Sequence, residues 1–186
     1  WRSWAVEPDA VVGHSVGGQL AGLAGINHLV QGMVLVAAQS GYWRYWPWHT
    51  RHGIAALWHV MPLIARMLGY LPGRLGIGED LPLGVATEWA KWGRHRQYLF
   101  GFAHELELQH YRKLATPILA YSFWDDFFAP KPAVEALLQA YSSATITHHH
   151  LTPAVSPAPR IGHFGFFREH FRASLWQETL VWLQKF

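Results

Sequence analysis

The sequence predicts an α/β fold built on a parallel sheet, and three observations support that prediction. Continuous apolar runs occur at residues 10–13, 32–37 and 117–123, and a β-prone run follows at 145–151. Segments with helical patterning separate these runs, an alternation typical of parallel strands covered by helices. Between the second and third runs the sequence becomes aromatic and helical. We interpret residues 40–111 as a helical cap inserted into the sheet domain.

The predicted core therefore falls into two segments, residues 1–39 and 112–186, on either side of the insertion. Apolar patterning, prolines and turn residues define its elements. In chain order we predict a helix end at 3–7, a turn at Pro8 and Asp9, a strand at 10–13, a helix at 16–25, a strand at 32–37, a strand at 117–123, a helix at 132–141 with Pro132 in its first turn, a strand at 145–151, and a closing helix at 174–185 capped by Ser174.

The insertion is rich in aromatic residues and lacks strand signals as strong as those of the core. Residues 54–68 have helical periodicity that Pro62 is expected to break. Glycine and proline mark residues 69–84 as a loop, and two short helices are expected at 85–98 and 104–114.

Bulk composition limits the classes of function. The 186 residues are 51% apolar and 15% charged, which indicates a globular domain with one sizeable core. The net charge of +3 comes from scattered basic residues, so no nucleic-acid-binding stripe is expected. No apolar run reaches the ~18 residues that a membrane span needs. Cysteine is absent, which excludes disulfides and cysteine-ligated metals. Residues 1–9 have no apolar signal-peptide core, and we expect a cytoplasmic protein.

The first candidate site is the pattern Gly13-x-Ser15-x-Gly17, which lies between an apolar run and a helical run. A strand, a sharp turn and a helix are the setting in which this pattern forms a nucleophile elbow. We expect a crowded turn that tolerates only glycine at Gly13 and Gly17. Such a turn exposes the Ser15 hydroxyl and directs the Val16 backbone N–H toward a developing oxyanion.

Partners for this serine follow two later strands. A serine nucleophile needs a histidine base, and the histidine needs an acid that fixes its tautomer. Asp125 and Asp126 come just after the third strand, and His163 follows the fourth. All of these groups follow the carboxyl ends of predicted parallel strands, where sites form in open sheets. The order Ser, Asp, His is the order expected after an elbow, while spacing alone leaves the two aspartates open.

Three motifs together resemble a known superfamily. They are Gly13-His14-Ser15-Val16-Gly17-Gly18, Phe123-Trp124-Asp125-Asp126-Phe127-Phe128-Ala129-Pro130 and Ile161-Gly162-His163-Phe164-Gly165-Phe166-Phe167-Arg168. With cap residues 71–76 and 88–92, they make most of the chain similar to α/β-hydrolases. The nearest likeness is to a bacterial family of predicted α/β-hydrolases related to serine aminopeptidase-like and lysophospholipase-like enzymes. The resemblance implies Ser15 as nucleophile and His163 as base. Asp126 is implied as the acid, because the superfamily's acid commonly precedes a proline by four residues, here Pro130.

The resemblance also implies an activity. A serine hydrolase would cleave an ester, thioester or amide through an acyl-enzyme on Ser15, with the Val16 N–H as an oxyanion donor and no cofactor. The aromatic cap favours a small, apolar acyl substrate, and we expect Trp43, Trp46 and Trp89 to line its pocket. An acyltransferase with the same triad, and a non-catalytic binding module of the same fold, remain alternatives.

The front of the sequence departs from the superfamily pattern. In that superfamily several strands precede the elbow, and a loop after an early strand supplies the second oxyanion donor. Only nine residues precede Ala10 here. We therefore interpret the chain as the C-terminal portion of an α/β-hydrolase parallel sheet with its cap, and expect it to be nearly inactive alone.

Rival patterns are weaker. The run His148-His149-His150 suggests metal, but neighbouring residues of a strand alternate between faces, so three in a row do not bind one ion easily. A zincin reading of His104, Glu105 and His110 fails because position 108 is Leu where that motif needs His. Neither a metal nor a nucleic acid is expected.

Overall fold

The fold is known from a computed structural model that describes residues 10–25, 29–75 and 79–186. The helix end predicted at 3–7 and the turn at Pro8 and Asp9 lie outside these residues. The chain divides into two compact units. One comprises the chain up to Gln39 together with Leu106–Phe186, and the other is Ser40–Glu105. The second unit begins where the predicted insertion begins and ends before residue 111.

Strands and helices are numbered in chain order. The strands are β1 (Ala10–His14), β2 (Gly32–Val36), β3 (Tyr70–Leu71), β4 (Leu81–Pro82), β5 (Ile118–Phe123) and β6 (Ile146–Leu151). The α-helices are α1 (Ser15–Leu20), α2 (Trp48–Leu68), α3 (Leu83–Arg94), α4 (Gln109–Lys113), α5 (Lys131–Leu138), α6 (Gly162–Gly165) and α7 (Gln177–Leu183).

A parallel sheet of four strands in the order β1-β2-β5-β6 organises the first unit. Its register pairs Val12 with Val34, Leu35 with Ala120, and Ala120 with His148. Every residue of β2 and β5 is buried, whereas β1 and β6 lie at the two edges of the described sheet and are less buried. The predicted α/β fold with a parallel sheet is confirmed. Because the strands are parallel, the segments that follow β1, β5 and β6 emerge at the same edge of the sheet.

The second unit contains the largest departure from prediction. Helix α2 runs without a break through Pro62, which is buried, so the expected break is wrong. Proline has no N–H to donate to the carbonyl four residues earlier, here that of Trp58. The Arg94 guanidinium donates to this Trp58 carbonyl at 2.5 Å and satisfies it instead. The helix ends at Gly69, whose φ of 82° is the left-handed conformation common at helix ends.

Other boundaries also differ from prediction. Residues 69–84 are more than loop, because β3 and β4 pair there in antiparallel fashion. Helix α1 is shorter than predicted and continues as a 3₁₀ turn at Ala21–Leu23. The closing helix begins with a π-helical turn at Arg172–Trp176, and the Ser174 hydroxyl donates to the Phe171 carbonyl. Ser174 is therefore not an N-cap, because it bonds a carbonyl and not a free helix N–H.

Helix α4 belongs to the first unit, although the predicted insertion included part of it. Its Tyr111 hydroxyl donates to the Gln19 carbonyl of α1, and the Tyr111 and Tyr141 rings lie 5.0 Å apart. These contacts hold the chain to the sheet unit before β5 begins. Within the described residues, no helix is long and apolar enough to cross a membrane.

Candidate active site

The turn between β1 and α1 is strained at Ser15. Its φ of 49° lies in the left-handed region that non-glycine residues seldom adopt, at a cost of about 1–3 kcal/mol. The adjoining His14 keeps an extended conformation with φ of −105°. The chain therefore reverses direction at the serine itself, which is the backbone geometry expected of a nucleophile elbow.

The elbow is crowded, but not at both predicted glycines. A Cβ on Gly13 would meet the Gly18 Cα at 2.7 Å. A Cβ on Gly18 would meet the Ala38 Cβ at 2.5 Å and the Gly13 carbonyl oxygen at 2.9 Å. Gly17 has no atom within 4 Å of the same position, so the prediction that crowding requires glycine there is wrong. The close approach occurs where α1 crosses the ends of β1 and β2, and Gly18 is the residue on that face.

Three of the predicted residues form one chain of hydrogen bonds. The Ser15 Oγ lies 2.8 Å from His163 Nε2, and His163 Nδ1 lies 2.8 Å from Asp126 Oδ2. A carboxylate accepts only, so Nδ1 carries the proton and Nε2 is left to accept the Ser15 hydroxyl proton. Asp126 is 4% exposed and His163 9%, so both partners are withdrawn from competing water.

The two adjacent aspartates hold different groups. Asp126 Oδ1 also accepts the backbone N–H groups of Phe128 at 2.8 Å and Ala129 at 3.0 Å, which fixes the carboxylate in its own turn. Asp125 instead accepts the N–H of Ile161 on Oδ2 and that of Gly162 on Oδ1, each at 3.0 Å. Asp126 therefore contacts the imidazole, and Asp125 contacts the backbone just before it.

Comparison with solved structures gives matches across nearly the whole chain. A monoacylglycerol lipase from Paleococcus ferrophilus superposes with a TM-score of 0.52 at 13% identity, over 95% of this chain and 68% of that protein. Alpha/beta hydrolase domain-containing protein 10 from mouse gives 0.53 at 16% identity, over 98% and 64%. An esterase from Exiguobacterium antarcticum gives 0.51 at 15% identity, over 93% and 65%. The chain thus spans about two thirds of the length of these proteins.

The chain has the α/β-hydrolase fold. No protein-family model matches the sequence. No curated protein matches it significantly either. The assignment of the α/β-hydrolase fold therefore rests on the structural comparison and the topology of the sheet.

Within this α/β-hydrolase fold, His14 has a contact that the sequence did not predict. Its Nε2 lies 2.8 Å from the backbone oxygen of His163, which only accepts, so His14 donates there. The His14 ring also packs near the rings of His163, Phe164 and Phe167, at 4.9, 5.4 and 5.3 Å. Burial lowers the pKa of His14 below its ordinary 6.5, partly offset by the bond to the His163 carbonyl. A polar residue next to the nucleophile was the only sequence signal for this contact.

For the remaining predicted site residues, the structure gives a position and neighbours but does not test the predicted role. Val16 is the second residue of α1, where the backbone N–H has no intrahelical acceptor. In the second unit, Trp43 is partly exposed with the Arg44 guanidinium over its ring, and Trp46 is buried. The Trp89 Nε1 donates to the Tyr98 hydroxyl at 2.8 Å. Their place in a substrate pocket stays a prediction.

The histidines of β6 are divided between the two faces of the strand. The Ser122 hydroxyl, fully buried, lies 2.8 Å from both His148 Nε2 and His150 Nδ1. His149 faces the other way and pairs with Glu178 at 2.5 Å. Across the part of the chain that the structure describes, no three His, Cys, Asp or Glu side chains form a group able to hold a metal.

Proposed function

We propose that the protein is a serine hydrolase that cleaves an ester, thioester or amide bond through an acyl-enzyme on Ser15. The observation that supports this most directly is the continuous hydrogen-bond chain from Ser15 through His163 to Asp126, with a strained backbone at the serine. Esterases and lipases among the proteins of similar fold are consistent with it. Fold alone does not fix function, so the site geometry carries the proposal.

In the proposed first step, the Ser15 Oγ attacks the substrate carbonyl carbon while His163 Nε2 takes the hydroxyl proton. The new C–O bond leaves a tetrahedral oxyanion, and the Val16 backbone N–H is our proposed donor to it. His163 becomes an imidazolium, which the buried Asp126 carboxylate stabilises through Nδ1–H. Because Asp126 is itself fixed by two backbone N–H groups, the ring is held in one orientation.

The intermediate then collapses, the bond to the leaving group breaks, and His163 returns its proton to that group. Water completes the cycle. It loses a proton to His163 Nε2, attacks the acyl carbon, and releases the carboxylic acid with the Ser15 hydroxyl restored. No step needs a metal or a redox cofactor, since the proton moves only between Ser15, His163, the leaving group and water.

The proposal predicts which serine reacts with a fluorophosphonate probe. In a complete protein, we expect labelling of Ser15, located by mass spectrometry, and its loss in Ser15→Ala, together with a fall of several orders of magnitude in ester turnover. The matched control is Ser122→Ala. Ser122 also lies beside histidine nitrogens, but it is fully buried and therefore inaccessible to the probe. The Ser122→Ala variant should remain labelled.

Two results would contradict the proposal. Labelling that persists in Ser15→Ala would assign the nucleophile to another residue. A folded protein that binds acyl compounds and yet never labels at Ser15 would support the non-catalytic binding module instead.

We further propose that the second unit contributes the apolar substrate pocket through Trp43. Truncation in Trp43→Ala should raise KM for long-chain p-nitrophenyl esters by about tenfold and change kcat little, because the ring would supply uniform binding. Trp48→Ala is the matched control, since Trp48 is largely exposed and was not assigned to the pocket. Equal KM values for both variants and the unaltered protein would remove Trp43 from the pocket.

A further inference from the structure

Helix α2 presents a second apolar face besides the one it buries. Its buried side chains are Ile54, Trp58, Met61, Pro62 and Ala65, whose spacing of three and four residues forms one face. On the adjoining face, apolar side chains remain exposed at Leu57, Val60, Leu63, Met67 and Leu68. We call these five residues the α2 stripe.

The side chains of the α2 stripe are largely exposed to solvent. Met67 is 83% exposed and Leu63 55%, and Trp48 at the start of the same helix is 75% exposed. At 3.6 residues per turn, the α2 stripe falls within somewhat more than a third of the helix circumference. Contiguous exposed apolar surface of this kind marks an interaction site more often than scattered apolar residues do.

The second unit, Ser40–Glu105, carries seven Lys and Arg against four Asp and Glu, and its acidic residues begin only at Glu79 and Asp80. Residues 40–78 contain no Asp or Glu, and their formal charges are four arginines, Arg44, Arg51, Arg66 and Arg74. The third side of α2 is polar, and His52, His59 and Arg66 are exposed there. Trp48 precedes Leu57 by about two and a half turns and so lies on this polar side. An apolar stripe flanked by an exposed arginine is typical of helices that lie in the interface of anionic bilayers.

This charge pattern argues against a second copy of the chain as the partner. A two-fold contact through the stripe would bring the same arginine-bearing helix from each copy together. The second unit has seven basic and four acidic residues, a formal charge of +3, so such a contact would bring two units of the same net charge together. An anionic lipid surface has charge of the opposite sign and accepts apolar side chains at the same time.

We propose that the α2 stripe binds the surface of an anionic membrane, with α2 parallel to the bilayer plane. The apolar side chains enter the boundary between headgroups and acyl chains, and Arg66 stays at headgroup level. This proposal is independent of the chemistry at Ser15, since it concerns only residues of the second unit.

Sedimentation with lipid vesicles tests the proposal on the purified protein. We expect binding to vesicles of equimolar phosphatidylcholine and phosphatidylglycerol, weaker binding at high salt, and much less binding to phosphatidylcholine alone. The variant Val60→Glu with Met67→Glu should bind at least about tenfold more weakly than the control Gln177→Glu with Gln184→Glu. Both variants add two negative charges at exposed positions, but only the first changes α2.

A second variant removes apolar surface without adding charge and covers the case in which the first fails to fold. Leu63→Ser with Met67→Ser changes two exposed positions and should also lose about tenfold in vesicle binding. Three outcomes would overturn the proposal: absence of binding to the anionic vesicles, equal losses in the stripe and control variants, or wild-type binding by the serine variant. Sedimentation velocity adds a fourth, a dimer that the stripe variants dissociate.

Discussion

Two neighbouring carboxylates of one turn hold different parts of the same short segment. Asp126 accepts the imidazole N–H of His163, and Asp125 accepts the two backbone N–H groups that precede it. Chemical type and spacing do not distinguish these residues in the sequence. The fold distinguishes them by the direction of their side chains. The Asp126 side chain is fully enclosed, whereas Asp125 is partly exposed.

This difference predicts unequal effects of the two amide substitutions. Asp126→Asn should lower kcat by about 10⁴-fold, because an amide no longer stabilises the His163 tautomer and its cation. Asp125→Asn should lower kcat far less, since it weakens backbone bonds that lie outside the proton path. Steady-state kinetics on a chromogenic ester measures both changes, with circular dichroism to confirm that each variant is folded. A larger kcat effect for Asp125→Asn would reverse the assignment of the acid.

At the scale of elements, the packing of α1 against the sheet decides which glycines are required. Gly18 faces Ala38 and the Gly13 carbonyl at distances that a methyl group would violate, while Gly17 faces open space. The tight contact brings the elbow close to the end of β2. It therefore determines where the Ser15 hydroxyl stands relative to the groups that follow β5 and β6.

Alanine substitutions at these two glycines should have opposite effects. Gly18→Ala should lower the free energy of unfolding by about 1–3 kcal/mol, because backbone must move to admit the methyl group. Gly17→Ala should raise it by about 0.5–1 kcal/mol, because alanine restricts the unfolded chain and suits a helix. Urea denaturation measures both values. Similar destabilisation by the two substitutions would mean that Gly17 is as enclosed as Gly18.

Helix α2 shows how a contact distant in sequence overrides a local rule. Proline at position 62 predicts a break, and nothing near it in the sequence indicates otherwise. The bond that rescues the freed Trp58 carbonyl comes from Arg94, at the end of the next helix. Local propensity is decisive only where tertiary contacts leave the backbone group without another partner.

At the scale of the whole molecule, the half-buried histidines His148 and His150 connect stability to pH. Burial is the largest cause that lowers the pKa values of His148 and His150. Glu135 opposes the shift at both residues, whereas Lys131 lowers both pKa values further and His150 also lowers that of His148. His149 faces the other way and also lowers the pKa of His148. Lys131 and Glu135 lie on α5 and pair with each other, so their opposing influences partly cancel.

The sign of the resulting pH dependence follows from proton counting. A folded-state pKa below the ordinary 6.5 means that the unfolded chain binds more protons in the interval beneath 6.5. The free energy of unfolding is therefore at its full value above pH 6.5 and decreases as the pH falls below it. We expect the free energy of unfolding to decrease between about pH 7.5 and about pH 5.5.

Urea denaturation at several pH values measures this decline. The double variant His148→Gln with His150→Gln should show a smaller decline, because glutamine can bond Ser122 but does not titrate. His49→Gln removes an exposed histidine and should retain the decline of the unaltered protein. An unchanged slope in the double variant would assign the pH dependence to other groups.

The features that could be predicted from the sequence depend on local patterns, whereas those that were missed depend on contacts between residues distant in the sequence. Apolar runs gave the strands and the parallel sheet, because burial patterning is local and β2 and β5 are buried throughout. The strand ends then indicated which polar groups would meet. The sequence did not reveal the role of Gly18, the rescue of Trp58 or the His14 contact. Each depends on a partner from another element whose position only the folded chain defines.

The paired aspartates have a mechanical consequence for the loop that follows β6. A segment bonded at one residue can still rotate about that bond, whereas a segment bonded at successive residues keeps a fixed orientation. Residues 161–163 are held in the second way, from the turn after β5. The orientation of the His163 imidazole is thus fixed by the turn after the neighbouring strand β5. Residues 152–160 serve only to connect β6 to this segment. We therefore expect substitutions within residues 152–160 to leave the direction of the His163 ring unchanged while these bonds persist.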